Sequence, residues 1–139
     1  MNSNATQFYT GLIAHIRQVI GADEFKQHHR ISDKAFSRQR ILTFDFITLF
    51  LLNMVKHATQ DELDEFFKIV QGEKVAKRIV SKSAFSQARI KLKYSAFIEL
   101  NQEQVTYFYQ HVEQPQRWYG LRLLAIDGSM SDLPDSEEV

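Results

Sequence analysis

The sequence predicts a mainly α-helical fold, a helical bundle followed by one β-strand, and three observations support this prediction. Apolar residues recur at helical spacing over most of residues 1–115. Threonine, serine and glycine stand where helices are expected to begin and end. After Pro115 the pattern changes to a short apolar run, residues 123–126, which is typical of a buried strand. We therefore divide the chain into a helical region, residues 1–115, and a strand-containing region, residues 116–139.

The first half of the helical region predicts two helices with a loop between them. Residues 8–20 carry apolar side chains at helical spacing, and Gly21 stands at the position of a C-cap. Residues 22–42 show no clean period, which predicts a loop that can include one helical turn. Thr43 is the expected cap of the second helix, which extends to about His57. Because that helix is apolar nearly all round, we expect it at the centre of the bundle.

The second half begins with residues 59–62, Thr-Gln-Asp-Glu, which match a capping box. The helix that they open is predicted to end at Gly72. Three further helices are predicted, at residues 73–79, at residues 84–92 with Ser83 as the cap, and from Ser95 to Pro115. Beyond them, Trp118-Tyr119-Gly120 predicts a turn and residues 121–126 a strand.

The composition excludes several classes of protein. Apolar residues make up 44% of the chain and charged residues 24%, which are ordinary globular values. The absence of cysteine excludes disulfides and thiolate metal sites and fits a reducing compartment. The first residues lack the basic segment of a signal peptide. The most apolar stretch, residues 44–55, is too short and too polar to span a bilayer. We expect a cytoplasmic protein with no membrane partner.

The net charge is zero, but the charges are distributed in blocks. Residues 74–93 hold seven basic side chains and no acidic one, and residues 26–40 hold five basic side chains against Asp33 alone. The last thirteen residues hold five acids and no base. Such blocks bear on the partners of a protein rather than on its fold.

The predicted helices at residues 60–71, 73–79 and 83–92 are short, joined by tight turns, and favour a helix-turn-helix unit. On the last of them, Phe85, Ala88 and Leu92 share the face expected to meet the core. A polar stripe at spacings of four, three and four lies beside that face, and Gln87 and Lys91 flank it. The candidate DNA-binding residues are the stripe Lys82, Ser86, Arg89 and Lys93, its neighbours Ser83, Gln87 and Lys91, the preceding Lys77 and Arg78, and Arg38 and Arg40 in the earlier basic block.

Two interpretations of this basic helix remain open. It is either a recognition helix, whose serine, glutamine and arginine meet base edges while its lysines hold phosphates, or a solvated amphipathic helix. The lack of any acid over residues 74–93 favours nucleic acid. For residues 34–40, a solvated loop is slightly preferred to a second set of phosphate contacts.

Asp127 follows the apolar run at residues 123–126 and precedes Gly128. It is either a ligand of a divalent metal at a strand end or part of an Asp-Gly turn, and the local sequence favours the turn. His28 and His29 are adjacent and have no third ligand at a metal-binding spacing, so we interpret them as surface histidines of a basic loop.

Five segments, in this order, resemble the insertion-sequence-four group of DDE transposases. Residues 36–44, FSRQRILTF, resemble the F-x-R-x-R-x-L-x-F segment of that group. The other four are QDELDEFF at residues 60–67, SKSAFSQARIKL at 81–92, FIELN at 97–101 and LAIDGS at 124–129. Together they span about residues 30–136.

The resemblance implies a helical N-terminal region that binds double-stranded transposon-end DNA, followed by an RNase H-like α/β domain that cuts and joins DNA with two metal ions. Asp127 matches the first acid of the Asp-Asp-Glu triad, so the resemblance raises the metal-ligand interpretation of that residue. Mg²⁺ is implied for the full-length family only. Residues 116–139 then correspond to the first strand of the RNase H-like domain, and the compartment is the bacterial cytoplasm, in association with the nucleoid.

Because only ten residues follow Ser129, we expect no second Asp or Glu of the triad and no catalysis by this chain alone. The first hypothesis is a DNA-binding fragment of such a transposase. The alternative is a helical protein-interaction module that associates with or inhibits a full-length transposase, or that forms a homo-oligomer. A third hypothesis is an unselected remnant without function.

Overall fold

The computed structural model describes residues 3–38, 40–53, 58–112 and 117–122. Within these residues the chain forms α1 (Ser3–Gly21), α2 (Asp23–His29), α3 (Phe44–Leu52), α4 (Thr59–Gln71), α5 (Lys82–Arg89), α6 (Ser95–His111) and the short strands β1 (Arg117–Trp118) and β2 (Leu121–Arg122). The prediction of a mainly helical protein is confirmed. The prediction of a sheet strand over residues 121–126 lies mostly outside the described residues, and the division between residues 115 and 116 stays a prediction.

The loop predicted at residues 22–42 is wrong in its first part, because residues 23–29 form α2. Phe25 and His29 stand four residues apart and are buried on one side of this helix. Asp23 and Glu24 lie in its first turn, where carboxylates favour a helix N-terminus. With one large apolar residue in seven, the segment has too few apolar residues for a visible helical period.

The helix α3 begins as predicted, because the Thr43 hydroxyl accepts a hydrogen bond from the Phe46 amide at 3.2 Å. Ile47 and Phe50 are fully buried, whereas Leu49 and Leu52 are exposed, so α3 contributes one buried face to the core rather than lying fully at its centre as predicted. The helix ends at Leu52, earlier than the predicted end near His57. Residues 54–57 lie outside the described residues.

The predicted capping box of α4 is wrong. The helix begins at Thr59 itself, and the residue at the N-cap is Ala58, which makes no side-chain cap bond. Its end is as predicted, because Gly72 adopts a left-handed conformation with φ of 67° and its amide donates to the Ile69 carbonyl. No helix forms at residues 73–79, so the helix predicted there is wrong.

The helix α6 runs from Ser95 to His111, with Tyr94 rather than Ser95 at its N-cap. After it, β1 and β2 pair antiparallel through a two-residue turn at Tyr119 and Gly120, so the predicted turn is confirmed. Both turn residues have positive φ, at 49° and 79°, as a type I′ hairpin turn requires.

The core consists of two clusters of buried apolar side chains. The first is Ile20, Phe25, Phe44, Ala96 and Leu100, and the second is Ile47, Phe50, Leu63, Phe85 and Ala88. Phe36 and Leu92 are half-buried and pack against both clusters. The segments that carry these two side chains therefore join the two halves of the core.

Alanine is expected to change the free energy of unfolding differently at Gly72 and Gly21, the two glycines at helix ends. Gly72→Ala should lower the free energy of unfolding by about 1–2 kcal/mol, since an L-residue in the left-handed region carries that cost. Gly21→Ala is the matched control, because no atom lies within 4 Å of a Cβ built there and its φ is not positive. It should leave stability unchanged or raise it by up to about 1 kcal/mol. Urea unfolding of both variants tests this, and equal losses would contradict the assigned role of Gly72.

Candidate nucleic-acid interface

The helix α5 is placed by its apolar face and by its N-cap. Phe85 and Ala88 are buried in the second core cluster, and Leu92 is half-buried, which confirms the face predicted to meet the core. The cap is Ser81 rather than Ser83, because Ser81 is extended and its hydroxyl accepts from the Ala84 amide at 3.2 Å. Because of this cap, α5 begins at Lys82, earlier than predicted. It also ends earlier, at Arg89.

Gln60 of α4 fixes the start of α5. Its side-chain oxygen accepts from the Lys82 amide at 2.8 Å, and its side-chain nitrogen donates to the Val80 carbonyl at 3.0 Å. The same nitrogen also donates to Asp64 at 2.8 Å. One side chain thus holds the N-terminus of α5 against α4, although the connection of residues 72–81 between them is not helical.

The earlier basic block reaches α5 through backbone pairing. Arg30 and Leu92 form an isolated antiparallel bridge, in which the Ile31 amide donates to the Lys91 carbonyl at 2.9 Å and the Lys93 amide donates to the His29 carbonyl at 2.8 Å. Residues 31–40 therefore begin beside the end of α5. This contact was not expected from the sequence, since residues 22–42 carry no strand signal.

After this bridge, a turn at residues 33–36 leads the chain to the basic residues Arg38 and Arg40. Ala35 is buried, and Phe36 has a φ of 56°, which is uncommon for a residue with a side chain. The Phe36 ring packs edge-on against Phe44, with centroids 5.5 Å apart. With these two residues held in the core, Arg38 and Arg40 follow on the surface, where both are exposed.

A groove of about 730 Å³ lies between this block and α5. We call it the basic groove, and its lining consists of Lys34, Phe36, Ser37, Arg38, Arg40, Ile41, Leu42, Val80, Ala84, Gln87, Ala88 and Lys91. Four of these residues are basic and none is acidic. Ion pairs within the described part of the chain involve none of the four, so their charges are available to a ligand.

Four of the predicted DNA-binding residues meet in the basic groove. Gln87 and Lys91 come from α5 and the turn after it, while Arg38 and Arg40 come from the earlier block. For residues 34–40, the choice between a solvated loop and a second set of phosphate contacts stays a prediction; Lys34, Arg38 and Arg40 are exposed and line the groove. The interleaved apolar residues of the groove were missed, because nothing in their local pattern distinguishes them from core positions.

The predicted stripe of α5 is not continuous. The helix ends at Arg89, and residues 90–92 continue as a tighter turn in which the Lys91 amide donates to Ala88 at 3.0 Å. Lys93 therefore leaves the stripe, and its ammonium donates to the His28 carbonyl at 2.9 Å. The other members of the stripe are in α5, where Lys82 and Arg89 are exposed and Ser86 is half-buried; the neighbouring Ser83 is exposed as well.

Two predicted cations are paired with carboxylates. Arg78 lies 3.7 Å from Asp64, and Lys77 lies 3.9 Å from Glu73. Both pairs are largely exposed on the cationic side, so each contributes little to stability and partly neutralises the local charge. The groove-lining cations are consequently the stronger candidates for anion contacts.

The prediction that His28 and His29 are both surface residues is wrong for His29, which is 5% exposed. Its Nε2 lies 2.8 Å from a Glu99 carboxylate oxygen and its Nδ1 lies 2.9 Å from the Ser95 hydroxyl, which links α2 to α6. His28 is exposed, as predicted. In the described residues, no group of three or more His, Asp or Glu side chains is arranged to hold a metal ion.

Asp127, the candidate catalytic acid and metal ligand, lies outside the described residues. Among the helices that are described, none is both long and apolar enough to cross a bilayer. Comparison of the chain with protein-family models, curated proteins and solved structures finds no match.

The Gln60 contacts generate a prediction about how α5 is held. Gln60→Ala should lower the free energy of unfolding by about 1–3 kcal/mol, because the half-buried Val80 carbonyl loses a donor and the Lys82 amide loses an acceptor. The Lys82 amide should also exchange its hydrogen faster. The matched control is Gln102→Ala on the exposed side of α6, with an effect within about 0.5 kcal/mol. Unfolding and hydrogen exchange measure both quantities, and unchanged exchange at Lys82 would contradict the role of Gln60.

Proposed function

We propose that the chain is the DNA-binding region of a DDE transposase of the insertion-sequence-four group, and that it binds the double-stranded DNA of transposon ends. The observation that supports this most is the basic groove. Two basic blocks that are far apart in sequence line one concave surface, which contains four cations and no acid. A clustered basic surface of this kind is the usual electrostatic footprint of a nucleic-acid-binding protein.

In this proposal, different side chains contact the phosphates and the base edges of the DNA. Arg38, Arg40 and Lys91 hold phosphates, which supplies affinity that depends on salt but carries no sequence information. Arg89 is exposed on α5, does not line the groove, and has a side chain that forms bidentate bonds with guanine edges. The cations therefore position the protein, and α5 reads the sequence.

We further propose that α4 and α5 act as a pair resembling a helix-turn-helix unit, with α5 as the recognition helix. Their connection, residues 72–81, is longer than the three- or four-residue turn usual in that unit. The contacts of Gln60 with Val80 and Lys82 compensate, because they fix the start of α5 on α4. The resemblance also implies a metal-binding role for Asp127 and Mg²⁺ in the full-length family, and the present proposal includes no catalytic step.

Replacing Arg38, Arg40 or Lys91 with alanine should weaken binding to duplex DNA roughly tenfold each at low salt, because one phosphate contact is lost. The slope of log K against log salt concentration should fall by about 0.9 for each contact. Fluorescence anisotropy with labelled duplex DNA over a salt series measures both quantities. Random DNA and transposon-end DNA are compared in parallel.

The matched control for this prediction is Arg17→Ala, which removes the same charge from an exposed position on α1, outside the basic groove. It should leave the affinity and the salt slope unchanged. Equal losses from Arg17 and from the groove arginines would show a non-specific charge effect. If duplex DNA shows no salt-dependent binding at about 50 mM salt, the proposed function is wrong.

The second candidate function, association with a full-length transposase or with another copy of the chain, is favoured by exposed apolar side chains on α1 and α6. Tyr9 and Ile13 are 61% and 56% exposed and stand four residues apart on α1. Phe108 of α6 is 38% exposed, and the Phe8 ring lies 5.5 Å from Tyr9 and 6.0 Å from Phe108. These contacts make one aromatic surface across the two helices.

If this surface is an interface, Tyr9→Asp combined with Ile13→Asp should abolish co-purification with a full-length transposase of the group, because carboxylates would be desolvated in an apolar contact. The variant should keep DNA binding. The Arg38→Ala, Arg40→Ala double variant is the reciprocal control, which should lose DNA and keep the partner. Failure of the wild-type chain to co-purify, together with a monomeric mass by sedimentation, would contradict this second function.

A further inference from the structure

The lining of the basic groove includes more apolar side chains than binding to a duplex backbone requires. Duplex phosphates need cations on an accessible surface, and those are Arg38, Arg40 and Lys91. Apolar side chains of the same lining are less accessible than these exposed cations, because Leu42 and Val80 are half-buried and Ala88 is buried. We call these apolar side chains the floor of the groove and the exposed cations its rim. The volume of about 730 Å³ is within the range of small-molecule sites in proteins.

We propose that the basic groove takes up an unpaired nucleotide at a DNA end, with the base against the apolar floor and its phosphate on the cationic rim. This inference rests on the proposed function and adds the class of ligand that the groove selects. An unstacked base has flat apolar faces, a polar edge and an attached anion, which are the properties that proteins binding single strands recognise. The lining of the groove offers matching groups, namely apolar side chains, the Gln87 amide and cations that have no ion-pair partner among the described residues.

Gln87 is the residue placed to meet the edge of the base. It is exposed, lines the groove, and stands one helical turn after Ala84. Its amide carries both donors and an acceptor, so it can pair with the edge of any base. The groove is therefore expected to take up bases with little discrimination between them, unlike the recognition of paired bases by the exposed side of α5.

Small side chains keep the groove open. Ala84 and Ala88 are both on the groove face of α5, and Ala84 is exposed. A leucine at position 84 would occupy the space above the floor without changing any charge. Affinity for a base and affinity for phosphates can therefore be separated by substitution.

The experiment compares three labelled DNAs by fluorescence anisotropy at one salt concentration. They are a blunt duplex, the same duplex with a three-nucleotide overhang, and the same duplex with an overhang of three abasic residues. The overhang should raise the affinity about tenfold, since placing one base against apolar side chains removes apolar area from water. The abasic overhang adds the same phosphates without bases, and it should give little of this gain.

The variant Ala84→Leu should remove the gain, so that the ratio of overhang to blunt affinity falls to near one. Gln102→Leu on α6 adds the same side chain at an exposed site away from the groove, and it should keep the wild-type ratio. A second measurement uses the wild-type chain only. A 2-aminopurine base placed in the overhang should become protected from acrylamide quenching when the protein binds.

The outcomes separate this inference from the proposed function. Salt-dependent binding of blunt duplex without any gain from the overhang, or with an equal gain from the abasic overhang, overturns the inference and leaves the function standing. An unprotected 2-aminopurine also overturns it, even if Ala84→Leu fails to fold. Absence of binding to all three DNAs removes both proposals.

Discussion

Two backbone hydrogen bonds between residues 29–31 and residues 91–93 bring the two basic blocks of this chain together. They form around the bridge between Arg30 and Leu92, and the Lys93 ammonium adds a third bond to the His28 carbonyl. Each such bond contributes only about 0.5–1.5 kcal/mol net. Their importance is positional, because they close a long loop and set the end of α5 beside the segment that carries Arg38 and Arg40.

The packing of the core supports the same arrangement. Leu92 follows α5, and Phe36 precedes the groove arginines, and each packs against both core clusters. The two walls of the basic groove are therefore attached to the whole core rather than to one helix. Because both walls are anchored in this way, core packing holds the backbone on both sides of the groove in place.

The sequence predicted those parts of the fold that depend on strong local signals. Thr43 caps α3, Gly72 ends α4 in a left-handed conformation, and Phe85 and Ala88 are buried as their spacing indicates. The failures occur where two local signals compete or where none exists. Serine stands at both positions 81 and 83; the prediction took Ser83, whereas the structure has the extended backbone and the capping hydroxyl at Ser81.

The candidate site was predicted in its residues but not in its geometry. The charge blocks identified Lys91, Arg38 and Arg40, and helical spacing identified Gln87; all four line the basic groove. Helical spacing alone grouped Lys93 with the stripe of α5, whereas a non-local bond to His28 removes it. Such non-local contacts leave no period in a sequence, since they depend on residues that are distant along the chain.

The left-handed backbone of Phe36 limits which sequences can keep this groove. Glycine would relieve the backbone at that position, yet it would remove a ring that both core clusters contact. Valine or isoleucine would fill part of the space, yet a branched Cβ is least compatible with a φ of 56°. Position 36 therefore has to satisfy a packing requirement and a backbone requirement that favour different residues. In divergent copies of this chain, we expect an aromatic residue to persist at position 36 even where the neighbouring basic side chains exchange freely between arginine and lysine.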